Sequence, residues 1–181
     1  MNLANKITLI RVLMIPLFMI VLFSDFNNST YIAAIIFAIA AATDGLDGYI
    51  ARSREQVTTF GKFIDPLADK LLVSTALISM VQLGKVPAWI VVIIIAREFT
   101  ITGFRIIAAS EGITIAASSL GKIKTITQLV AIISLLIDNY PFKLINFPFD
   151  IIMLYISLFF TVLSGVDYLY KNKHVLTTSK K

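Results

Sequence analysis

The sequence predicts an all-α, polytopic membrane protein: six transmembrane helices with a polar cavity in the cytoplasmic half. Three observations carry this. The 181 residues are 57% hydrophobic and only 15% charged, against about 45–50% apolar and about 25% charged in an ordinary soluble domain. Six apolar segments recur with short polar breaks, each long enough to cross a hydrocarbon core of about 30 Å. The charges that interrupt these segments fall at alternate ends, so an up-and-down bundle gathers them on one side.

The first segment, about 6–24, begins with Lys6 and Arg11 and continues as the apolar run Val12–Phe23. It has the outline of a signal peptide, but no small-x-small cleavage site follows; Ser24-Asp25-Phe26-Asn27-Asn28 ends it, so it reads as an uncleaved span. Pro16 removes one helical hydrogen bond and predicts a kink, with residues 1–11 partly interfacial, Leu3, Ile7 and Ile10 in lipid, and Lys6 and Arg11 toward phosphates of lipid or substrate. The second segment, 29–51, holds the longest charge-free stretch, 18 residues from Phe26 to Thr43. The third, 62–83, ends at Gly84-Lys85-Val86-Pro87, and the fourth, 86–108, carries Arg97, Glu98 and Arg105 after the apolar run Trp89–Ala96. The fifth, 120–137, opens with Lys122 and Lys124 behind a candidate cap at Ser118-Ser119 and stops at Asp138-Asn139-Tyr140-Pro141. The sixth, 148–170, has Asp167 near its end, where it caps or pairs, and 171–181 form a basic tail in which His174 reads as solvated. Turn chemistry at the breaks makes successive helices antiparallel neighbours, and the whole chain, 1–181, reads as one membrane domain.

Topology follows from charge. Of the 16 Lys and Arg, only Lys85 and Lys143 fall at the opposite ends. The positive-inside rule therefore puts both termini and the polar cavity on the cytoplasmic side of the cell membrane. Phe23, Phe26, Tyr31, Trp89, Tyr140, Phe142 and Phe147 gather at the other edge, as an interfacial belt would. The net charge of +5 is assigned to lipid headgroups and topology rather than to nucleic acid. With no cysteine and one histidine, any metal must be held mainly by oxygen, which favours Mg²⁺ or Mn²⁺ over zinc.

Four aspartates stand in one frame: Asp44-x-x-Asp47-Gly48-x-x-Ala51-Arg52, eight residues, then Gly61-x-x-x-Asp65-x-x-x-Asp69. Carboxylates in a membrane segment are costly and mark function. Spacings of three and four put each pair on one helix face. The short connection brings both pairs to similar depth, where four facing carboxylates stay ionised only with cations. One or two divalent ions meet that need. Gly48, Ala51 and Gly61 let a ligand or helix approach closely. The bland reading makes these four solvated interfacial aspartates paired with Arg52, Arg54, Lys62 or Lys70. Against it, chance meets the eight specified positions on the order of once in 10¹⁰ starting points, at roughly 5–8% usage each.

This frame resembles the signature of the CDP-alcohol phosphatidyltransferases, with every specified residue and both spacings intact. The resemblance implies six transmembrane helices, transfer of a substituted phosphate from a CDP-linked donor to an alcohol with release of CMP, and a homodimer. Carried over by motif position, Asp44, Asp47 and Asp65 would be metal ligands, and Asp69 would contribute to the metal site and act as the base. Gly48, Ala51, Arg52 and Gly61 would line the cytidine-phosphate pocket. Two metal ions, Mg²⁺ or Mn²⁺, suit the chemistry, since phosphoryl-type transfer needs charge neutralisation and in-line positioning above all.

A second polar set follows: Arg97-Glu98 with Arg105, and Gly121-Lys122-x-Lys124-Thr125-x-x-Gln128. Arg97 and Arg105 lie about two turns apart on one face, Lys122 and Lys124 open a helix, where phosphates bind well, and Glu98 beside Arg97 suggests a defined polar contact. The bland alternative is a positive-inside cluster touching headgroups. With Asn5-x-x-Thr8-x-x-Arg11-x-x-x-x-Pro16, this set resembles the branch of the family whose donor is CDP-diacylglycerol and whose acceptor is sn-glycerol 3-phosphate; Ala4 stands where that branch often has proline. The four cations Arg97, Arg105, Lys122 and Lys124 are the expected acceptor-phosphate site. Serine, inositol phosphate or phosphatidylglycerol as acceptor are alternatives within the chemistry. A divalent-cation transporter is the alternative outside it, disfavoured by the scarcity of ionisable residues in the outer halves of the spans.

Overall fold

In a computed structural model of the chain, the backbone is described for residues 3–53, 59–113, 115 and 118–173, and side chains for 6–43, 67, 68, 70–113, 115 and 118–173. The described residues form six α-helices and one 3₁₀ turn, with no strand among them: α1 Leu3–Leu22, α2 Ser29–Ser53, α3 Thr59–Gln82, α4 Ala88–Ser110, α5 Ser119–Leu136, the turn Phe142–Ile145, and α6 Phe149–Lys171. The helices stand where the apolar segments predict them, shifted by a few residues at the ends. The chain divides into two compact units, one of residues 1–85 with 136–138, the other of 86–135 with 139–181.

In the first unit, α1 buries Thr8, Arg11, Ile15, Phe18 and Leu22, a stripe at spacings of three and four that marks one helix face. The opposite face exposes Ile10, Leu13, Leu17 and Ile20. The stripe continues on both sides of Pro16, which lies inside one helix; a single lost backbone bond does not end it here. Helix α2 meets α1 through Ala33, Ala34, Phe37 and Ala40, all buried. The Phe18 and Phe37 rings are tilted at 6.0 Å between centroids, and Arg11 Nε donates to Thr43 Oγ1 at 3.4 Å. Those two ties, 18 to 37 and 11 to 43, make α1 and α2 antiparallel. Helix α3 contributes Ala68, Leu72, Ala76, Leu77 and Met80 to the same interior. It ends as a Schellman cap: Gly84, at φ +69, lets Lys85 N–H reach Met80 O at 2.9 Å. Lys85 then pairs with Asp138, Nζ to Oδ1, at 2.5 Å.

In the second unit the interior is partly polar. Helix α4 buries Ile90, Val91, Ile94, Glu98, Ile101, Phe104 and Ala108. Helix α6 buries Leu154, Ser157, Thr161, Ser164, Gly165 and Tyr168, while Tyr155, Phe159, Val162 and Val166 face outward. Small hydroxylated residues inside with large apolar ones outside is the arrangement of helices packed in lipid. The hydroxyls are held by their own helix, Thr161 Oγ1 donating to Ser157 O at 2.7 Å and Ser164 Oγ to Thr161 O at 3.2 Å. Phe104 meets Tyr168 edge-on at 5.9 Å. The N-terminus of α5 is capped by Ser118, whose Oγ accepts the Gly121 N–H at 3.0 Å, and Asp167 pairs with Lys171 at 2.8 Å, as the sequence suggests for both. Two helices, Ser119–Leu136 and Phe149–Lys171, are long and apolar enough to cross a membrane; Ser29–Thr43 and Lys70–Gln82 are shorter apolar stretches.

Candidate functional site

The aspartate frame lies on two helices that pack together in the first unit. Asp44, Asp47, Gly48, Ala51 and Arg52 are on the last three turns of α2, and Gly61, Asp65 and Asp69 are on the first half of α3. Both stretches are helical, so the spacings of three and four put Asp44 with Asp47, and Asp65 with Asp69, on common faces. The side chains of these eight residues lie outside the described ones. What is described beside them is informative. Arg11 and Thr8 on α1 are both fully buried, and Arg11 binds Thr43, the residue immediately before Asp44. Thr43 Oγ1 in turn donates to Ala40 O at 2.7 Å. A guanidinium is expensive to bury unless its charge is answered nearby, so α1 brings a cation to the start of the frame. Arg11 thus turns inward, away from bulk lipid phosphates. An oxygen-only donor set with helical spacing fits a hard divalent cation.

The side chains of the second polar set belong to the second unit. Glu98 on α4 is its hub: Oε1 accepts from Arg97 Nη1 at 3.1 Å and from the ammonium of Lys124 on α5. The side chains of Glu98 and Lys124 are only 6% and 5% exposed, and that of Arg97 16%, so this is an interior cluster. Arg97 Nη2 donates to Ser164 Oγ on α6 at 2.9 Å. Gly165 follows, and a Cβ there would stand 3.1 Å from Arg97 Cγ; the glycine makes room for the arginine stem. Two turns further along α4, Arg105 Nε donates to Tyr168 Oη at 3.1 Å, with its guanidinium carbon 5.5 Å from the ring centroid. Lys122 is exposed at the start of α5.

Of the four predicted acceptor cations, only Arg97 and Lys124 therefore meet, on Glu98; Arg105 is exposed two turns further along α4, against Tyr168, and Lys122 is exposed at the start of α5. The partners Ser164, Gly165 and Tyr168 were not legible in advance; the only signal was a stripe of small and hydroxylated residues on an otherwise apolar helix, which reads equally well as packing. Three buried polar atoms here have no hydrogen-bond partner among the described residues: Arg97 Nε, Gln128 Nε2 and Ser157 Oγ. Each such group costs about 1–3 kcal/mol when left unmade, unless a water or a ligand supplies the partner. Among the described residues, Arg97 and Lys124 set two cations against the one carboxylate of Glu98.

Comparison with known proteins identifies the chain's relatives. A family model described as CDP-alcohol phosphatidyltransferase matches residues 1–163. The chain is 50% identical, over 98% of its own length and 98% of the relative's, to a Bacillus subtilis protein named CDP-diacylglycerol–glycerol-3-phosphate 3-phosphatidyltransferase. It is 39% identical to a probable phosphatidylglycerophosphate synthase of Mycobacterium tuberculosis, covering 92% of this chain and 79% of that one. A Rickettsia felis protein with the same name as the Bacillus one is 34% identical, over 92% and 93% of the two lengths.

Proposed function

The chain belongs to the CDP-alcohol phosphatidyltransferase family, and we propose that it transfers the phosphatidyl group of CDP-diacylglycerol to sn-glycerol 3-phosphate, giving phosphatidylglycerophosphate and CMP. The observation that carries this is the end-to-end match to a relative of that name in a chain whose eight-position frame is intact on α2 and α3.

The residues divide the work. Asp44, Asp47, Asp65 and Asp69 would hold one or two Mg²⁺ or Mn²⁺ ions, whose chemistry there would be to neutralise charge on the diphosphate and on the departing CMP. Gly48, Ala51 and Gly61 leave space for the cytidine phosphate, and Arg52 answers its charge. Arg97, Arg105, Lys122 and Lys124 bind the acceptor phosphate. Asp69 takes the proton from the acceptor hydroxyl. That oxygen attacks the phosphorus bearing diacylglycerol, the P–O bond to CMP breaks, and the lipid product stays in the membrane.

The finer architecture belongs to the same proposal. Six spans with both termini and the active site cytoplasmic are supported by the six helices, their outward apolar faces and the Lys/Arg asymmetry. A single catalytic domain over 1–181, with 1–11 partly interfacial and 171–181 a cytoplasmic tail, and a homodimer, follow from the family resemblance.

Purified protein supplied with CDP-diacylglycerol and Mg²⁺ is expected to release CMP when given glycerol 3-phosphate, and not with serine, inositol phosphate or phosphatidylglycerol. Stimulation by one of the others instead would move the acceptor assignment. Divalent-metal flux in proteoliposomes without any CMP release would replace the enzyme reading with a transporter.

A further inference from the structure

Arg105 is held differently from Arg97 and Lys124. Those two lean on the carboxylate of Glu98, whereas the partner of Arg105 is neutral: its Nε donates to Tyr168 Oη on α6 at 3.1 Å, and its guanidinium carbon stands 5.5 Å from the centroid of the same ring. Among the described residues no carboxylate pairs with it. The tyrosine is itself fixed. It is 3% exposed, in a cluster with Ile101, Phe104 and Ala108 of α4, and Phe104 meets its ring edge-on at 5.9 Å. The local sequence closes this socket at the end of α4. Gly112, at φ +72, lets the Ile113 N–H reach Ala108 O at 2.9 Å, a Schellman cap that turns Ile113 back against the cluster. An exposed arginine thus stands on a buried tyrosine that α4 and α6 clamp between them.

That arrangement leaves a defined set of donors. A guanidinium carries five N–H groups in a rigid fork. Tyr168 takes the one on Nε, and those on Nη1 and Nη2 remain, in an orientation that the ring and the hydroxyl set together. Such a fork matches two oxygens of a phosphate. Holding it in place beforehand removes the ordering of a long side chain from the cost of binding. We propose that Tyr168 is a positioning residue for the acceptor: it aims the Nη1–Nη2 fork of Arg105 at the acceptor's phosphate. This rests on the reading above that Arg105 binds that phosphate. The hydroxyl sets the orientation and the ring supplies the packing, so removing the hydroxyl alone separates the two.

The test measures steady-state CMP release by the full-length protein in detergent, varying glycerol 3-phosphate and CDP-diacylglycerol in turn. Tyr168→Phe keeps the ring and loses the hydroxyl. It should raise the KM for glycerol 3-phosphate about 3- to 10-fold, the scale of ordering one rotamer-rich side chain on binding. Both kcat and the KM for CDP-diacylglycerol should stay within about twofold, as expected when only acceptor binding is weakened. In an Arg105→Ala background the same change should add nothing, because its partner is gone. Arg105→Lys keeps the charge and loses the fork; it should raise the acceptor KM at least as far, and is the independent variant if Tyr168→Phe does not fold. An unmoved acceptor KM in either variant, or a Tyr168→Phe loss that persists in full beside Arg105→Ala, would overturn the inference while leaving the proposed reaction standing. So would a Tyr168→Phe effect seen only as an altered dependence on added anionic lipid, which would assign the fork to a headgroup. If Arg105→Ala raises the KM for CDP-diacylglycerol and not that for glycerol 3-phosphate, the acceptor reading of Arg105 fails and the inference with it.

Discussion

Replacing Glu98 by glutamine keeps the shape of the side chain and removes the one negative charge that joins α4 to α5. Its carboxylate answers two interior cations, Arg97 at 3.1 Å and Lys124, whose side chains are 16% and 5% exposed. Breaking a buried ion pair by neutralising one partner costs about 3–5 kcal/mol, because the other charge is left uncompensated. Here two cations are left, partly offset by the amide oxygen that glutamine still offers. For a chain of this length, 1 kcal/mol moves the melting temperature by about 2–4 °C, so Glu98→Gln should melt about 6–15 °C below the wild type. The phosphate of the acceptor would restore the missing negative charge. Glycerol 3-phosphate should therefore raise the melting temperature of the variant more than that of the wild type.

The assay is thermal unfolding of detergent-purified protein with and without millimolar glycerol 3-phosphate, alongside initial rates of CMP release. Phosphate-bearing acceptor should bind Glu98→Gln at least as tightly as the wild type, while turnover falls because Arg97 and Lys124 are no longer held in place. A melting temperature within about 2 °C of the wild type would refute the view that this carboxylate organises the cluster. Equal acceptor-induced shifts in the two proteins would refute the claim that Arg97 and Lys124 see the acceptor phosphate.

Two further outcomes follow from the same assignments. Asp69→Asn should cut turnover by about 10²-fold or more, the scale of general-base catalysis, while binding of CDP-diacylglycerol, followed by competition with a CDP analogue, changes less; an unchanged rate would remove Asp69 as the base. Arg105→Ala should raise the KM for glycerol 3-phosphate by about 10-fold, the equivalent of about 1.4 kcal/mol, and more than the KM for CDP-diacylglycerol; the reverse pattern would assign Arg105 to the donor lipid.

Helix placement was legible because an apolar run of membrane length leaves the backbone little choice but to satisfy its own hydrogen bonds. The ends were legible too wherever a short polar residue supplies the missing partner, as Ser118 does for Gly121 N–H, or where a residue adopts positive φ, as Gly84 does after α3. The aspartate frame was legible as a spacing on α2 and α3. The partners across helices were not, since a spacing fixes a face and leaves open what that face meets. Arg11 reads from sequence as an interfacial cation, yet it is fully buried against Thr43. Nothing in the local pattern around Lys124 announces that its ammonium reaches Glu98, 26 residues earlier. Ser164 and Gly165 look like packing residues until Arg97 is found lying against them.

The cross-helix contacts bear directly on the choice of acceptor. Serine would bring an ammonium as well as a carboxylate, and would need a carboxylate from the protein in return. Among the described residues, the one acidic side chain in the cluster, Glu98, is already engaged by Arg97 and Lys124. A phosphorylated alcohol makes the opposite demand, up to two negative charges at neutral pH, and among the described residues it meets the cations Arg97 and Lys124 against one carboxylate, with Arg105 and Lys122, both exposed, beyond them. Charge therefore separates phosphorylated acceptors from zwitterionic ones, but it does not separate glycerol phosphate from inositol phosphate, which carry the same group. That second distinction has to be made by size and by neutral hydrogen bonds. Two neutral buried groups, Gln128 Nε2 on α5 and Ser157 Oγ on α6, are without a hydrogen-bond partner among the described residues.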